Sequence, residues 1–208
     1  MTDFILVRHG ETVWHAENRY TGRTDVPLTQ HGREQAAALA EWAVTAGLTA
    51  VWSSPLSRAR LTAAPAADAC GLVPRIDERL YEVDFGQGEG LTRDEMRQRF
   101  PQQLADFLVD PVANHLPGGE DPRKAAARAA DCLADIAREQ PRGRVLLVAH
   151  STLVRLLLCH LLGIPLADYR RVFPQLLNGA LTEIRVENGQ TALLRLNAPA
   201  LAQTPSFH

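Results

Sequence analysis

The segment Arg8-His9-Gly10 joins two side chains suited to phosphoryl chemistry to a residue that lets the backbone turn sharply. An arginine guanidinium is a planar fork that matches phosphate oxygens, and it stays charged at physiological pH. The adjacent histidine offers a nitrogen nucleophile that can take a phosphoryl group and release it to water. An isolated pair of this kind is more often a surface arginine beside a capping histidine. Its meaning therefore depends on the residues that the fold brings near it.

Three further polar residues occupy comparable positions. Arg58 lies about one turn into a predicted helix, where an anion would meet both its guanidinium and the helix N-terminus. The alternative is a solvated helix face, which fits Arg60 better than Arg58. His150 follows a buried strand and, when protonated, would donate to a phosphoryl oxygen, although a lone histidine there is usually structural. Glu82 follows an apolar pair, so partial burial would favour a protonated form able to act as an acid.

Apolar periodicity and turn residues predict the elements that must position these side chains. The predicted strands are Phe4–Val7, Ala50–Ser53, Val73–Ile76, Arg144–Ala149, Leu181–Val186 and Thr191–Leu196, the last two forming a hairpin through Asn188-Gly189. The predicted helices are Thr29–Ala46, Pro55–Ala69 with Ser54 as N-cap, Thr92–Arg99, Pro101–Leu108, Asp121–Glu139 and a helix capped by Ser151 that runs to Leu162.

This alternation predicts an α/β fold, a three-layer α/β/α sandwich with a mostly parallel sheet and an antiparallel edge. Ligands of such folds bind beyond the carboxyl ends of the strands. Three polar turns are expected there: Arg8-His9-Gly10, Ser54 to Arg58, and His150-Ser151. A single domain is predicted over residues 1–197, followed by a disordered tail over residues 198–208.

Composition narrows the classes of protein. The chain has 208 residues, 46% of them hydrophobic, and a net charge of −2, which favours one globular domain and argues against nucleic-acid or membrane partners. The three cysteines, Cys70, Cys132 and Cys159, show no paired spacing and are expected to be reduced. The first residues do not form a signal peptide, and no apolar run is long enough to span a bilayer. A cytoplasmic location is expected, and nothing in the sequence indicates an oligomeric state.

The ordered motifs LVRHGET, LTQHGREQA, SSPLSRARLTA, LYEVDFGQGEGLT, LPGGE and VAHSTLVR, with Tyr20-Thr21-Gly22, resemble the histidine phosphatase superfamily from Phe4 to about Leu196. This resemblance implies that His9 is the nucleophile, that Glu82 is the general acid, and that Arg8, Arg58 and His150 form the phosphate pocket. It also places Thr21 and Gly22 where relatives contact the substrate. No metal or other cofactor is implied.

The implied activity is hydrolysis of small phosphorylated metabolites by a metal-independent phosphomonoesterase, through phosphohistidine. A cofactor-dependent phosphoglycerate mutase is the alternative, since both activities use this machinery, and an inactive phosphate-binding module is a further one. Mutases carry a longer insertion with paired arginines, whereas Leu91–Gly119 is short and has none. Arg93 nevertheless lies near a basic position of the mutases.

Two residues depart from the family pattern. Relatives usually carry asparagine where this chain has His15, and many have glycine or alanine at the position of Ser151. His15 either binds substrate in the pocket or points to solvent beside Trp14, and the sequence favours neither.

Overall fold

The computed structural model describes residues 1–200, which include a six-stranded sheet of order β3-β2-β4-β1-β5-β6. The strands are β1 (Thr2–Arg8), β2 (Ala50–Ser53), β3 (Arg75–Ile76), β4 (Arg144–Ala149), β5 (Leu181–Glu187) and β6 (Gln190–Ala198). Strands β1 to β4 are parallel, whereas β5 and β6 are antiparallel to their neighbours. The predicted sheet, mostly parallel with an antiparallel edge, is confirmed.

Helices cover both faces of this sheet. They are α1 (Gln30–Ala46), α2 (Ser57–Ala69), α3 (Arg93–Arg99), α4 (Pro101–Val109), α5 (Pro122–Glu139), α6 (Ser151–Leu161) and α7 (Tyr169–Val172). Successive side chains of a strand point to opposite faces, so β1 contributes to two cores. Phe4 and Leu6 pack in the core that includes α5 and α6, whereas Ile5 and Val7 pack in the core of α1 and α2. The α/β/α layering is therefore as predicted.

The register of the parallel strands aligns their carboxyl ends. Arg8 of β1 lies opposite Ala149 of β4, and Ser53 of β2 lies opposite Val148. The residues that follow these ends therefore emerge at one edge of the sheet, where the three polar turns were predicted to meet.

The two predicted N-caps, Ser54 and Ser151, do not hold the cap positions in the structure. Ser54 is not an N-cap, because its backbone N–H still donates to the carbonyl of Val148 at 3.0 Å, and α2 begins only at Ser57. Ser151 is the first residue of α6, and His150 holds the cap position with an extended backbone. In both turns the chain continues the strand for one more residue before it coils, so strand pairing prevails over the local capping preference.

The sheet edges also differ from the prediction. Strand β3 is confined to Arg75–Ile76, shorter than predicted, while β6 continues to Ala198, where the tail was expected to start. Ala200 packs against the core of α1 and α2. The rest of the predicted tail, residues 201–208, lies outside the described residues. Within residues 1–200, no helix has the length and apolar character needed to cross a membrane.

Candidate active site

The ends of two neighbouring strands bring two histidines together. His9 follows β1 and His150 follows β4, and the centroids of their rings are 5.1 Å apart. The backbone N–H of His9 donates to the carbonyl of Ala149 at 3.0 Å, which fixes the end of β1 against β4. Both side chains are buried. Two buried imidazoles at adjacent strand ends form the centre of the candidate site.

A cavity of about 810 Å³ opens above this centre. Its lining comes from the turn after β1, the segment around Glu82, the start of α3, the start of α6, and α7. Arg8, His9, His15, Thr21 and Glu82, which the sequence singled out, all line this cavity. Its volume suits a whole metabolite rather than a bare phosphate ion.

His9 is held as a neutral imidazole with a defined tautomer. Its Nδ1 lies 2.7 Å from the carbonyl oxygen of Gly10, and a carbonyl only accepts, so Nδ1 carries the proton. Burial, followed by the positive charges of Arg58 and Arg8, lowers the pKa of His9 well below its ordinary value. The Nε2 atom thus keeps its lone pair at neutral pH and takes no hydrogen bond from residues 1–200. This is the state required of a nucleophile.

His150 differs from the expected protonated donor. Its Nε2 lies 2.8 Å from the hydroxyl oxygen of Ser54, while its buried Nδ1 has no partner within the described residues. Burial, then the charge of Arg58, lowers the pKa of His150 well below its ordinary value. The free protein therefore holds His150 neutral, because a buried imidazolium beside Arg58 would be uncompensated.

Arg8 and Arg58 supply fixed positive charge. Arg58, fully buried in the first turn of α2, donates from its terminal nitrogens to the carbonyls of Thr24 at 2.8 Å and Gly22 at 2.6 Å. Arg8 donates to the carbonyl of Leu176 at 2.8 Å. Burial, with repulsion from neighbouring arginines, lowers the pKa of Arg8 to about 10, so it remains charged.

Both of these guanidinium groups have an unused donor. The Nε atoms of Arg8 and Arg58 are buried and have no hydrogen-bond partner among residues 1–200. Buried donors are normally satisfied, and leaving one unpaired costs about 1–3 kcal/mol. With Nδ1 of His150, three unpartnered polar atoms belong to side chains clustered around His9. A bound anion would satisfy the two guanidinium donors, and Nδ1 of His150 is a further donor in the tautomer in which its Nε2 accepts from Ser54.

Glu82 is anchored by the start of α6. Its Oε1 accepts from the backbone N–H groups of Val83 at 2.9 Å and Leu153 at 2.8 Å, and its Oε2 accepts from Thr152 at 3.0 Å. A carboxylate oxygen has two acceptor positions, so Oε1 is filled and Oε2 keeps one free. Glu82 is 4% exposed, more deeply buried than the partial burial expected. Its Oε2 is the oxygen available to exchange a proton in the cavity.

His15 lies at the cavity rather than pointing to solvent. The Nη2 atom of Arg8 lies 2.5 Å from Nε2 of His15 and can only donate, so Nε2 accepts. Nδ1 lies against Thr12, whose backbone N–H donates to it at 3.0 Å and whose hydroxyl oxygen is 2.9 Å away. Burial and the adjacent Arg8 lower the pKa of His15. Its position therefore supports neutral His15 as a partner of Arg8.

Thr21 and Gly22, the predicted substrate contacts, take different positions. Thr21 lines the cavity, with its hydroxyl donating to the carbonyl of Arg19 at 3.1 Å. Gly22 lies behind the wall, where its carbonyl accepts from Arg58. A Cβ on Gly22 would lie 1.9 Å from Oε1 of Glu89, so the absence of a side chain allows this close packing. The structure thus indicates a packing role for Gly22.

Sequence reasoning assigned no role to two arginines of the cavity wall. Arg155, within the VAHSTLVR motif, extends from α6, and Arg170 extends from α7. Arg170 and Arg171 form an adjacent arginine pair, whereas Leu91–Gly119 contains none. This pair is a signal in the sequence, but nothing local shows that α7 folds back to the cavity.

Comparison with known proteins agrees with this geometry. The family described as "Histidine phosphatase superfamily (branch 1)" matches residues 4–199. Phosphoserine phosphatase 1 of Hydrogenobacter thermophilus is 29% identical over 197 residues, covering 95% of this chain and 92% of that protein. A probable phosphoglycerate mutase GpmB of Citrobacter koseri is 39% identical over 176 residues, covering 83% and 80%. The α-ribazole phosphatase of Shigella flexneri superposes with a TM-score of 0.87 at 26% identity, covering 97% and 98%.

Proposed function

The chain belongs to the histidine phosphatase superfamily, and on that premise we propose that it is a phosphomonoesterase that hydrolyses small phosphorylated metabolites through a phosphohistidine on His9. The observation that carries the proposal is the neutral His9, whose Nε2 lone pair is free and whose buried ring lies beside His150 and feels the charges of Arg58 and Arg8. This arrangement combines a nucleophile with donors suited to the oxygens of a transferring phosphoryl group.

The first step transfers the phosphoryl group to His9. Nε2 attacks phosphorus as the bond to the ester oxygen breaks, so the leaving alcohol departs with the bonding electron pair. Glu82 in its acid form donates the proton that this oxygen needs. Arg8 and Arg58 bind the non-bridging oxygens and compensate their charge. The hydrogen bond from Nδ1 to Gly10 stabilises the positive charge that the imidazole gains on bonding to phosphorus.

The second step releases phosphate. A water molecule attacks phosphorus while the Glu82 carboxylate takes its proton, and the bond from phosphorus to Nε2 breaks. The electron pair returns to Nε2, so His9 is neutral again, and Glu82 is again an acid. One proton enters the leaving alcohol and one returns from water, so the cycle balances.

The positive charge needed at phosphorus is supplied by the chain itself. Arg8 and Arg58 are held beside His9 by their hydrogen bonds to backbone carbonyls. Guanidinium groups in a water-poor site provide the charge compensation that a divalent ion provides in other phosphoryl-transfer enzymes. We therefore propose that turnover requires no metal and no other cofactor.

We further propose that residues 1–197 act as a single catalytic domain in the cytoplasm. The match to the family extends over residues 4–199, which supports one unit. Cys70, Cys132 and Cys159 are free thiols, as suits a reducing compartment.

The proposal is tested with His9→Ala and p-nitrophenyl phosphate in the presence of EDTA. We expect the wild type to keep its activity in EDTA and the variant to lose at least about a thousandfold, since covalent catalysis needs Nε2. Mass spectrometry of the quenched wild type should find phosphate on His9. His31→Ala, which alters an exposed histidine, is the matched control and should be fully active. Turnover by His9→Ala would refute the mechanism. Wild-type activity that is lost on chelation and recovered with Mg²⁺ would also refute it.

A phosphoglycerate mutase is the second candidate, because a relative named as a probable phosphoglycerate mutase is 39% identical to this chain over 176 residues. Arg93, which lies near a basic position of the mutases, lines the cavity. The two activities differ in the acceptor of the phosphoryl group, which is water in one and a second hydroxyl in the other. Incubation with 3-phosphoglycerate distinguishes them: a phosphatase releases inorganic phosphate, whereas a mutase forms 2-phosphoglycerate without net release.

A further inference from the structure

Besides Arg8, four arginines line the cavity and are not used by the reaction at phosphorus. Arg19 is paired with Glu17 and Glu95, and Arg93 lies at the start of α3. Arg155 of α6 and Arg170 of α7 are the other two. Neither forms an ion pair with an aspartate or glutamate within residues 1–200. Surface arginines in this protein commonly have such partners, as Arg171 has in Asp168 at 3.0 Å. Neither Arg155 nor Arg170 is therefore neutralised by a direct ion pair within residues 1–200, although the charge of Glu82 acts on Arg155.

Two contacts hold the Arg170 side chain in place and leave its two terminal nitrogens without partners in residues 1–200. Its Nε donates to the hydroxyl of Tyr169 at 2.9 Å, and its Cζ lies 4.6 Å from the centroid of the Phe107 ring. Cation–π contact of this kind orients a guanidinium without using its N–H groups. Its two terminal nitrogens have no hydrogen-bond partner in the described part of the chain. They form a planar fork that suits a carboxylate or a phosphate.

Arg155 interacts electrostatically with Arg170 on one side and with Arg8, at the phosphate end of the cavity, on the other. Repulsion from Arg155 contributes to the lowered pKa of Arg8, and repulsion from Arg170 contributes, after burial, to the lowered pKa of Arg155. Arg58 and Arg8, Arg8 and Arg155, and Arg155 and Arg170 are therefore electrostatic neighbours in turn, and the last three of these arginines line the cavity. Glu82 is the carboxylate whose charge acts on Arg58, Arg8 and Arg155. Arg8 and Arg58 suffice for one phosphoryl dianion, so the positive charge farther out exceeds what that group needs.

We propose that Arg170, supported by Arg155, forms a subsite for a second anionic group of the substrate. The preferred substrates are then small phosphomonoesters that also carry a carboxylate or a second phosphate. This assignment rests on the proposed phosphatase function and makes Arg170 a determinant of its specificity. A cavity of about 810 Å³ accommodates both groups at once.

Matched substrates provide the first test. 3-Phosphoglycerate and glycerol 3-phosphate differ only in a carboxylate against a hydroxymethyl group, and fructose 1,6-bisphosphate differs from fructose 1-phosphate only in a second phosphate. We expect kcat/KM to be about tenfold or more higher for the substrate with two anionic groups in at least one pair, because a charge-assisted contact is gained. The pair that responds identifies the group. Equal values in both pairs would overturn the proposal.

Variants of neighbouring arginines provide the second test. Arg170→Gln should abolish this preference, mainly through a higher KM for the substrate with two anionic groups, while Arg170→Lys should retain part of it. Arg171→Gln is the matched control, since the Arg171 side chain is 72% exposed and paired with Asp168, and it should keep the wild-type preference. A preference that survives in Arg170→Gln, or is lost equally in Arg171→Gln, would exclude the subsite.

The test also separates this inference from the proposed function. Turnover of p-nitrophenyl phosphate that depends on His9, without any preference within the two substrate pairs, would contradict only the subsite. Absence of turnover on every phosphoester would contradict the phosphatase. The subsite would then be measured as the shift in Tm caused by 3-phosphoglycerate relative to glycerol 3-phosphate. An equal shift for both compounds would overturn it.

Discussion

The contact between His15 and Arg8 is the residue-scale feature that most distinguishes this site. The Nε2 of His15 accepts from Arg8, and its Nδ1 is held at Thr12. Asparagine, the residue that the family resemblance leads one to expect at this position, offers an acceptor that does not titrate in the physiological range. Protonation of His15 would replace the acceptor by a donor and place two cations side by side.

We predict that His15→Asn flattens the acid limb of the kcat/KM profile. Burial and the charge of Arg8 lower the pKa of His15 below the ordinary ~6.5. As the pH falls and His15 becomes protonated, the wild type should lose the hydrogen bond by which His15 positions Arg8. His9 and His150 also titrate under acid conditions, so the measurement is the difference between the two profiles. His31→Asn, at an exposed histidine, is the control and should match the wild type. Superimposable profiles for His15→Asn would show that His15 does not position Arg8.

Among the secondary-structure elements, the segment from Gly22 to Thr24, which precedes α1, packs closely against the start of α2. Gly22 permits this close packing because it has no side chain. Arg58 in the first turn of α2 donates to the carbonyls of Gly22 and Thr24, and Glu89 accepts from the backbone of Arg23 and Thr24. A Cβ on Gly22 would lie 2.7 Å from the carbonyl of Val83 as well as against Glu89. The orientation of Arg58 toward His9 thus depends on how closely this segment approaches.

We predict that Gly22→Ala lowers kcat/KM about tenfold and the free energy of unfolding by about 1–3 kcal/mol, as for other overpacked sites. The added methyl group would displace the carbonyl that holds Arg58. Gly189→Ala is the matched control: its Cβ would meet nothing within 4 Å, but φ is +76°, so it should lower stability and leave kinetics unchanged. Unaltered kcat/KM in Gly22→Ala would show that Arg58 does not depend on this contact.

Across the whole molecule, positive charge and neutral histidines are concentrated around one cavity, although the net charge of the chain is −2. His9, His15 and His150 all have lowered pKa values, with burial as the largest cause in each case. An unfolded chain restores the ordinary value near 6.5, so the unfolded state binds more protons than the folded state below that pH. Folding stability should therefore be complete above pH 7 and decline as the solution becomes more acidic.

We predict that the free energy of unfolding falls between pH 7 and pH 5, by up to about 1.4 kcal/mol per pH unit for each of these histidines while it stays neutral in the folded state. Aspartates with lowered pKa values, such as Asp77, contribute only below about pH 4. Urea unfolding at several pH values measures this slope. His31→Gln should leave the slope unchanged because His31 is exposed. A stability that is flat from pH 7 to pH 5 would contradict neutral buried histidines.

The amino-acid sequence by itself determined the fold class, most of the elements and the candidate catalytic residues. Periodicity and turn residues report on the local backbone, so β2 (Ala50–Ser53) and β4 (Arg144–Ala149) were predicted at their observed bounds. The order of the motifs indicated the family, which the match over residues 4–199 confirms. These features are readable because each depends on neighbours within a few positions along the chain.

Only the tertiary structure decided how the selected side chains meet. The tautomer of His9, the neutral His150 and the bond between His15 and Arg8 depend on burial and on charges from distant elements. The arrival of Arg170 at the cavity depends on where α7 folds back. Long-range packing sets these distances, and electrostatic energies vary steeply with distance and burial. No local pattern in the sequence carries that information.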